Sequence, residues 1–207
     1  GARTGAQPFV VRDVISTIEQ HPAVSYRNGV FSVAYQSINA VDYIQVLEAD
    51  GGLQNQVNVA PGPNTDRPQI ASLSATTDVV TWTDIGVPKR MKYATVTGTT
   101  VTQRGNLAGS RINNLDQYAL ALTGTTAGAT ASWQEYYSPS QLNLYVARID
   151  STGGLTDPNG ILVAVDAGLQ SASLSSNGLT TYLAYGSSIP AGFGFKFATI
   201  SSTGAVS

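Results

Sequence analysis

Phe31-Ser-Val-Ala-Tyr35, Val79-Val-Thr-Trp82, Thr130-Ala-Ser-Trp133 and Tyr182-Leu-Ala-Tyr185 are four short apolar runs, each ending in an aromatic residue. The spacings between the aromatics are 47, 51 and 52 residues. One supersecondary unit repeated about every fifty residues is the mark of a propeller, a solenoid or an array of small sheets. Each unit opens earlier, with an alternating segment: Pro22-Ala-Val-Ser-Tyr26, Pro68-Gln-Ile-Ala-Ser72, Tyr118-Ala-Leu-Ala-Leu122 and Ala172-Ser-Leu-Ser175. A turn follows, marked by Arg27-Asn-Gly29, Ala75-Thr-Thr-Asp78, Gly124 to Gly128, or Ser176-Asn-Gly178. Asn-Gly between alternating runs predicts a tight hairpin.

Downstream of each aromatic lies a third strand: Tyr43-Ile-Gln-Val-Leu47, Tyr93-Ala-Thr-Val96, Tyr145-Val-Ala-Arg-Ile149 and Phe197-Ala-Thr-Ile200. Fourth strands are expected at Gln56-Val-Asn-Val59, Gly105-Asn-Leu107 and Ile161-Leu-Val-Ala-Val165. The last unit reaches Ser207 before a fourth strand, and the apolar run Pro8-Phe-Val-Val-Arg-Asp-Val14 can supply it. Closure of this kind joins the two ends in one blade and leaves no open sheet edge. The pattern predicts an all-β, four-bladed β-propeller whose N-terminal strand pairs beside the Phe195–Ile200 strand. It is read as one domain over 1–207, with approximate units 8–54, 55–103, 104–157 and 158–207. The competing assignment for residues 8–20 is a short helix, since Val10, Val14, Ile15 and Ile18 have partly helical spacing.

Composition narrows the function. Charged residues make up 12% of the chain and the net charge is −2, whereas a soluble domain carries about 25%. A nucleic-acid partner is not expected, because it needs a dense basic face to displace counterions. The one basic run, Lys89-Arg-Met-Lys92, reads as a solvated loop and strand start. No apolar run approaches the ~20 residues that span a bilayer as a helix, so membrane insertion is not expected. Gly1-Ala-Arg-Thr-Gly-Ala-Gln7 lacks the apolar stretch of a signal peptide, and no Asn-x-Ser/Thr sequon occurs. The Ser-, Thr- and Gly-rich surface suits an extracellular or surface-exposed protein. There is no Cys and a single His, so neither disulfides nor a zinc site is expected.

The segment Leu144-Tyr-Val-Ala-Arg-Ile-Asp-Ser-Thr-Gly-Gly-Leu-Thr-Asp-Pro-Asn-Gly-Ile161 resembles the third-to-fourth-strand segment of blade repeats in secreted and surface β-propellers. His21 to Gln36 resembles the first hairpin of the same repeats. The resemblance implies architecture rather than activity. A hemopexin-type blade motif, the calcium-binding pattern of integrin-like blades and the Ser-x-Asp-x-Gly-x-Thr-Trp box of sialidases are all absent.

Two uses are open for Tyr35, Trp82, Trp133 and Tyr185. Facing a channel or groove, the rings stack on sugar C–H faces; facing a neighbouring blade, they fill core. The polar segments behind them read as varied loops on one propeller face. The richest is Gln134-Glu-Tyr-Tyr137, whose Gln134, Glu135 and Tyr136 suit hydrogen bonding to hydroxyl groups. The expected function is a non-catalytic binding module for carbohydrate or a surface protein, without catalytic residue, metal or cofactor. A structural or protein-interaction propeller on a fibre, capsid or cell surface is the first alternative. The second is a glycan-processing enzyme at the channel mouth, using two of Asp42, Asp84 and Glu135, since glycosidases work with paired carboxyls. A Ser-His-Asp site would have to use His21, and no Gly-x-Ser-x-Gly elbow accompanies it. Asp50, Asp150 and Asp157 read as turn caps.

Overall fold

The computed structural model describes residues 20–38, 40–47, 51–107, 116–138, 141–165, 167–189 and 192–207. Among them every regular element is a β-strand, and all pairings are antiparallel. The first sheet holds β1 (Gln20–Arg27), β2 (Val30–Ser37), β3 (Ala40–Leu47) and β4 (Leu53–Pro61). The second holds β5 (Thr65–Ser72), β6 (Thr77–Asp84), β7 (Arg90–Thr97) and β8 (Thr100–Asn106). The third holds β9 (Gln117–Thr125), β10 (Gly128–Ser138), β11 (Gln141–Asp150) and β12 (Ile161–Ala164), and the fourth β13 (Ala167–Ser176), β14 (Thr180–Ile189) and β15 (Gly192–Ser201). Each sheet is a meander in sequence order, with successive inner strands β1, β5, β9 and β13 side by side. The four sheets form the ring of a four-bladed propeller. The closing strand expected at residues 8–14 lies outside the described residues.

Local sequence explains the hairpins. Asn28 and Gly29 both have positive φ, +48° and +81°. That is the backbone of a two-residue turn whose twist matches its flanking strands, and it sets Arg27 opposite Val30. At the head of β10, Gly128 has φ +140°, and a Cβ there would lie 2.0 Å from the Ile149 carbonyl oxygen. Only glycine lets the two backbones approach so closely.

The middle strands of the second and third blades are apolar on both faces because each of these blades is sandwiched between two others. Side chains alternate along a strand, so one blade feeds two cores. On β6, Val80 and Trp82 join Ala34, Val41 and Tyr43 of the first blade, whereas Val79 joins Ala129, Ala131 and Trp133 of the third. On β11, Tyr145, Ala147 and Ile149 pack toward the second blade, whereas Leu144 and Val146 meet Leu183, Tyr185 and Ile200 of the fourth.

Polar joints lock the blades together at the hairpin end. Asp78 is fully buried. Its Oδ2 accepts from Ser32 Oγ and the Tyr43 hydroxyl, both at 2.7 Å, and from Arg27 at 3.2 Å. Its Oδ1 accepts from Ser72 Oγ at 2.9 Å. Arg27 also donates to the Ser74 and Thr77 carbonyls at 2.7 and 3.0 Å. Burial, and then the Asp78 charge, push the Tyr43 phenol well above its ordinary pKa. Between the second and third blades, Arg104 donates to the Thr152 carbonyl at 2.7 Å and the Tyr93 hydroxyl to that of Gly153 at 3.3 Å. Between the third and fourth, Arg148 donates to the Ser202 carbonyl while its Nε and Nη2 grip both oxygens of Asp157 at 2.7 Å.

Removing one side of a buried charged network leaves donors unpaired in a dry site. Asp78→Ala is therefore expected to cost about 3–5 kcal/mol, read as a fall in the urea midpoint with unchanged m-value. The Arg148 hydrogen bond holds the Asp157 carboxyl below its ordinary pKa, outweighing the opposing effect of burial. A carboxyl lowered on folding adds stability that is complete above its unfolded value, about 3.9, and is lost as the pH falls through the folded value. Arg148→Leu is expected to destabilise at pH 7 and to cost progressively less below about pH 4, measured by urea titrations across that range.

Candidate functional site

The aromatic positions of the sequence repeat lie inside the molecule. Tyr35, Trp82, Trp133 and Tyr185 are all buried, at 5%, 3%, 0% and 7% relative exposure. Trp82 packs on the first blade, Trp133 on the second and Tyr185 on the third. The Trp133 indole stacks on Tyr145 with ring centroids 5.7 Å apart. Gly160, at φ +65°, gives that indole its room: a Cβ there would sit 2.4 Å from the ring. None of the four offers an open ring face for sugar stacking.

Gln134, Glu135, Tyr136 and Tyr137 belong to β10 rather than to a loop, because the strand continues to Ser138. Gln134 and Glu135 are buried. Glu135 Oε2 accepts from Gln117 Nε2 at 2.8 Å and from the Trp133 indole N–H at 3.4 Å. Gln117 Oε1 in turn accepts the Met91 amide at 3.3 Å. Glu135 is thus a core acceptor joining the second and third blades. Tyr136 packs edge-on against Tyr118, whereas Tyr137 is exposed. Asp42 is buried and accepts from Asn58. His21 Nδ1 lies 2.9 Å from Gln36 Oε1 and 3.3 Å from Asp66 at the surface. Asp150 caps its own turn, accepting from Thr152 and Gly154. Asp50 lies outside the described residues. Among the described residues no three His, Cys, Asp or Glu side chains are grouped so as to hold a metal ion.

One repeated aromatic does border a concavity. A cavity of about 340 Å³ opens between the first and second blades, at the end carrying the β2–β3 and β6–β7 hairpins. Its wall is the connection from Ala60 to Thr65, and its floor is Trp82, Asp84, Lys92 and Gln103. Strand geometry brings the last four together. Trp82 and Asp84 are two residues apart on β6 and so share a face. Lys92 is the cross-strand partner of Trp82 on β7.

Lys92 Nζ is 2.5 Å from Asp84 Oδ2, and the Gly86 amide donates to Oδ1 at 3.0 Å. Burial pushes the Asp84 carboxyl up, but Lys92 and the Gly86 amide outweigh it and hold the group below its ordinary pKa. The cavity therefore offers a carboxylate whose ionised form is favoured, beside an ammonium, an indole edge and an amide. The sequence reading placed Asp84 among candidate acids but left Lys92 in a solvated run. The hairpin register, Asp84 opposite Arg90 and Trp82 opposite Lys92, sets Lys92 on Asp84's side of the sheet.

Neither a protein-family model nor a curated protein sequence matches the chain. Solved structures share its fold. A thermostable family-43 glycoside hydrolase superposes with TM-score 0.55 at 10% identity, over 88% of this chain and 69% of that one. A Hadza microbial sialidase gives TM-score 0.64 at 10% identity, over 91% of this chain and 46% of its own. TolB from Acinetobacter baumannii gives 0.55 at 15%, over 98% and 45%. The chain thus spans less than half the length of the last two.

These likenesses concern the fold, yet they redirect the functional expectation. The non-catalytic binding module expected from the sequence does not stand, because the propellers that match are mostly glycoside hydrolases and a sialidase. The buried rings remove its stacking surface as well.

The electrostatics of the cavity are directly measurable. By carboxyl NMR titration, Asp84 is expected to titrate below about 3.9, and Lys92→Met to move it upward. An unmoved Asp84 would disprove the pairing.

Proposed function

We propose that this chain is a glycan-processing enzyme, acting in an extracellular or surface-exposed setting, with its site in the cavity between the first two blades. The observation that carries this reading is an ionised carboxylate held at 2.5 Å by an ammonium on the floor of a ligand-sized cavity. The fold shared with family-43 hydrolases and a sialidase supports it.

Hydrolysis of a glycosidic bond adds water across a C–O bond through an oxocarbenium-like transition state. Asp84 is suited to take the proton from the attacking water and to stabilise the positive charge growing on the sugar. Among the described residues it is the only carboxyl lining the cavity. Lys92, in contact with Asp84, keeps the carboxylate ionised and oriented. A solvent water gives the leaving oxygen its proton, and the proton taken up by Asp84 returns to solvent. Trp82 presents an apolar edge, and Asn64 and Gln103 supply amide groups beside it.

The test is a turnover screen with aryl glycosides, arabinan, xylan and sialyllactose. Wild-type protein is expected to cleave at least one of them. Asp84→Asn is expected to reduce kcat by at least about 100-fold, the scale of a lost acid–base group, with an unchanged circular dichroism spectrum. Failure to cleave any substrate, or equal turnover in the variant, overturns the assignment.

A further inference from the structure

The opposite end of the propeller carries a second concavity, of about 490 Å³, where the inner strands end on the β1–β2 hairpin side. Inner strands of three blades and the Gly178 turn of the fourth line it. Ser25, Tyr26, Ile70, Ser72, Leu122 and Gly124 carry its chemistry. None of its lining residues is charged.

Its polar direction is set from within the fold. Ser72 Oγ gives its one proton to the buried Asp78 carboxylate. The 3.0 Å contact between Ser25 Oγ and Ser72 Oγ must then be donated by Ser25. With that proton committed, the Ser25 oxygen can only accept. Tyr26 follows Ser25 on β1 and so turns to the opposite face of the strand, where its ring leans on Phe31, centroids 4.9 Å apart, and remains 53% exposed. Val24 next to it is exposed as well, so the rim is apolar.

We infer that this concavity is a second ligand site, for a neutral polyhydroxylated molecule such as a short sugar. The ligand lies across the edge of β1: one hydroxyl donates to Ser25 Oγ, and a C–H face reaches over the strand to Tyr26, which lines the same concavity. Uncharged walls disfavour anionic and cationic ligands, which would lose hydration without a partner. The site stands apart from Asp84 and does not depend on catalysis there.

The experiment is amide NMR titration of the whole chain with glucose, xylohexaose and cellohexaose, on wild type and on Asp84→Asn, Tyr26→Ala and Ser25→Ala. At least one probe is expected to shift the amides of Ser25, Tyr26, Ser72 and Gly124. The same shifts are expected in Asp84→Asn, which separates this site from the cavity between the blades. Ser25→Ala leaves the Ser72–Asp78 bond in place and is expected to weaken binding about tenfold, the cost of one hydrogen bond. Tyr26→Ala is expected to weaken it further. Absence of shifts at these amides with every probe overturns the proposal, even if the Asp84 cavity responds. Undiminished affinity in both Ser25→Ala and Tyr26→Ala overturns it too.

Discussion

The Asp78 carboxylate is the point to which the first two blades are registered. Four side chains from four strands converge on it: Arg27, Ser32, Tyr43 and Ser72. A buried charge is tolerable only when its lone pairs are filled, so the carboxylate admits one relative placement of these strands. The same device recurs in altered form around the ring. Arg27, Arg104 and Arg148 each cross from one blade to backbone carbonyls in a hairpin of the next. The chain is sparing with charge, and three of its arginines stand where flat apolar faces alone would let blades slide.

Much of this was legible in the sequence. Tyr35, Trp82, Trp133 and Tyr185 marked the second strand of each blade, and Asn28-Gly29 and Ser176-Asn-Gly178 marked the turns. Even fine geometry repeats with the sequence. Asp150-Ser-Thr-Gly and Ser201-Ser-Thr-Gly form the same turn, closed by Asp150 N to Gly154 O and Ser201 N to Ala205 O, both at 2.9 Å. Local chemistry determines such turns, so local sequence reveals them.

What was not legible depended on partners distant in the chain. Gln134 and Glu135 read as loop residues because polarity is the only local clue. Their burial rests on Gln117 and on the next blade, which no periodicity announces. Whether the repeated rings face a ligand or a neighbour was likewise a question of packing, and the alternation of β6 and β11 between two cores answers it. Lys92 was misplaced for a related reason. A hairpin of known register would have set it on Trp82, but the register depends on the turn from Ile85 to Lys89, whose composition does not specify it.

The alternation that lets one strand serve two cores also limits how this chain can change over evolutionary time. A single residue inserted at the head of β6, ahead of Val79, would send Trp82 toward the third blade and Val79 toward the first, inverting both interfaces at once. Length variation is therefore confined to the hairpins and inter-blade connections. The two concavities lie at those ends, the Ala60–Thr65 connection walling one and the Gly178 turn rimming the other. Ligand preference at either end can drift through loop replacement while the blade interiors stay the same.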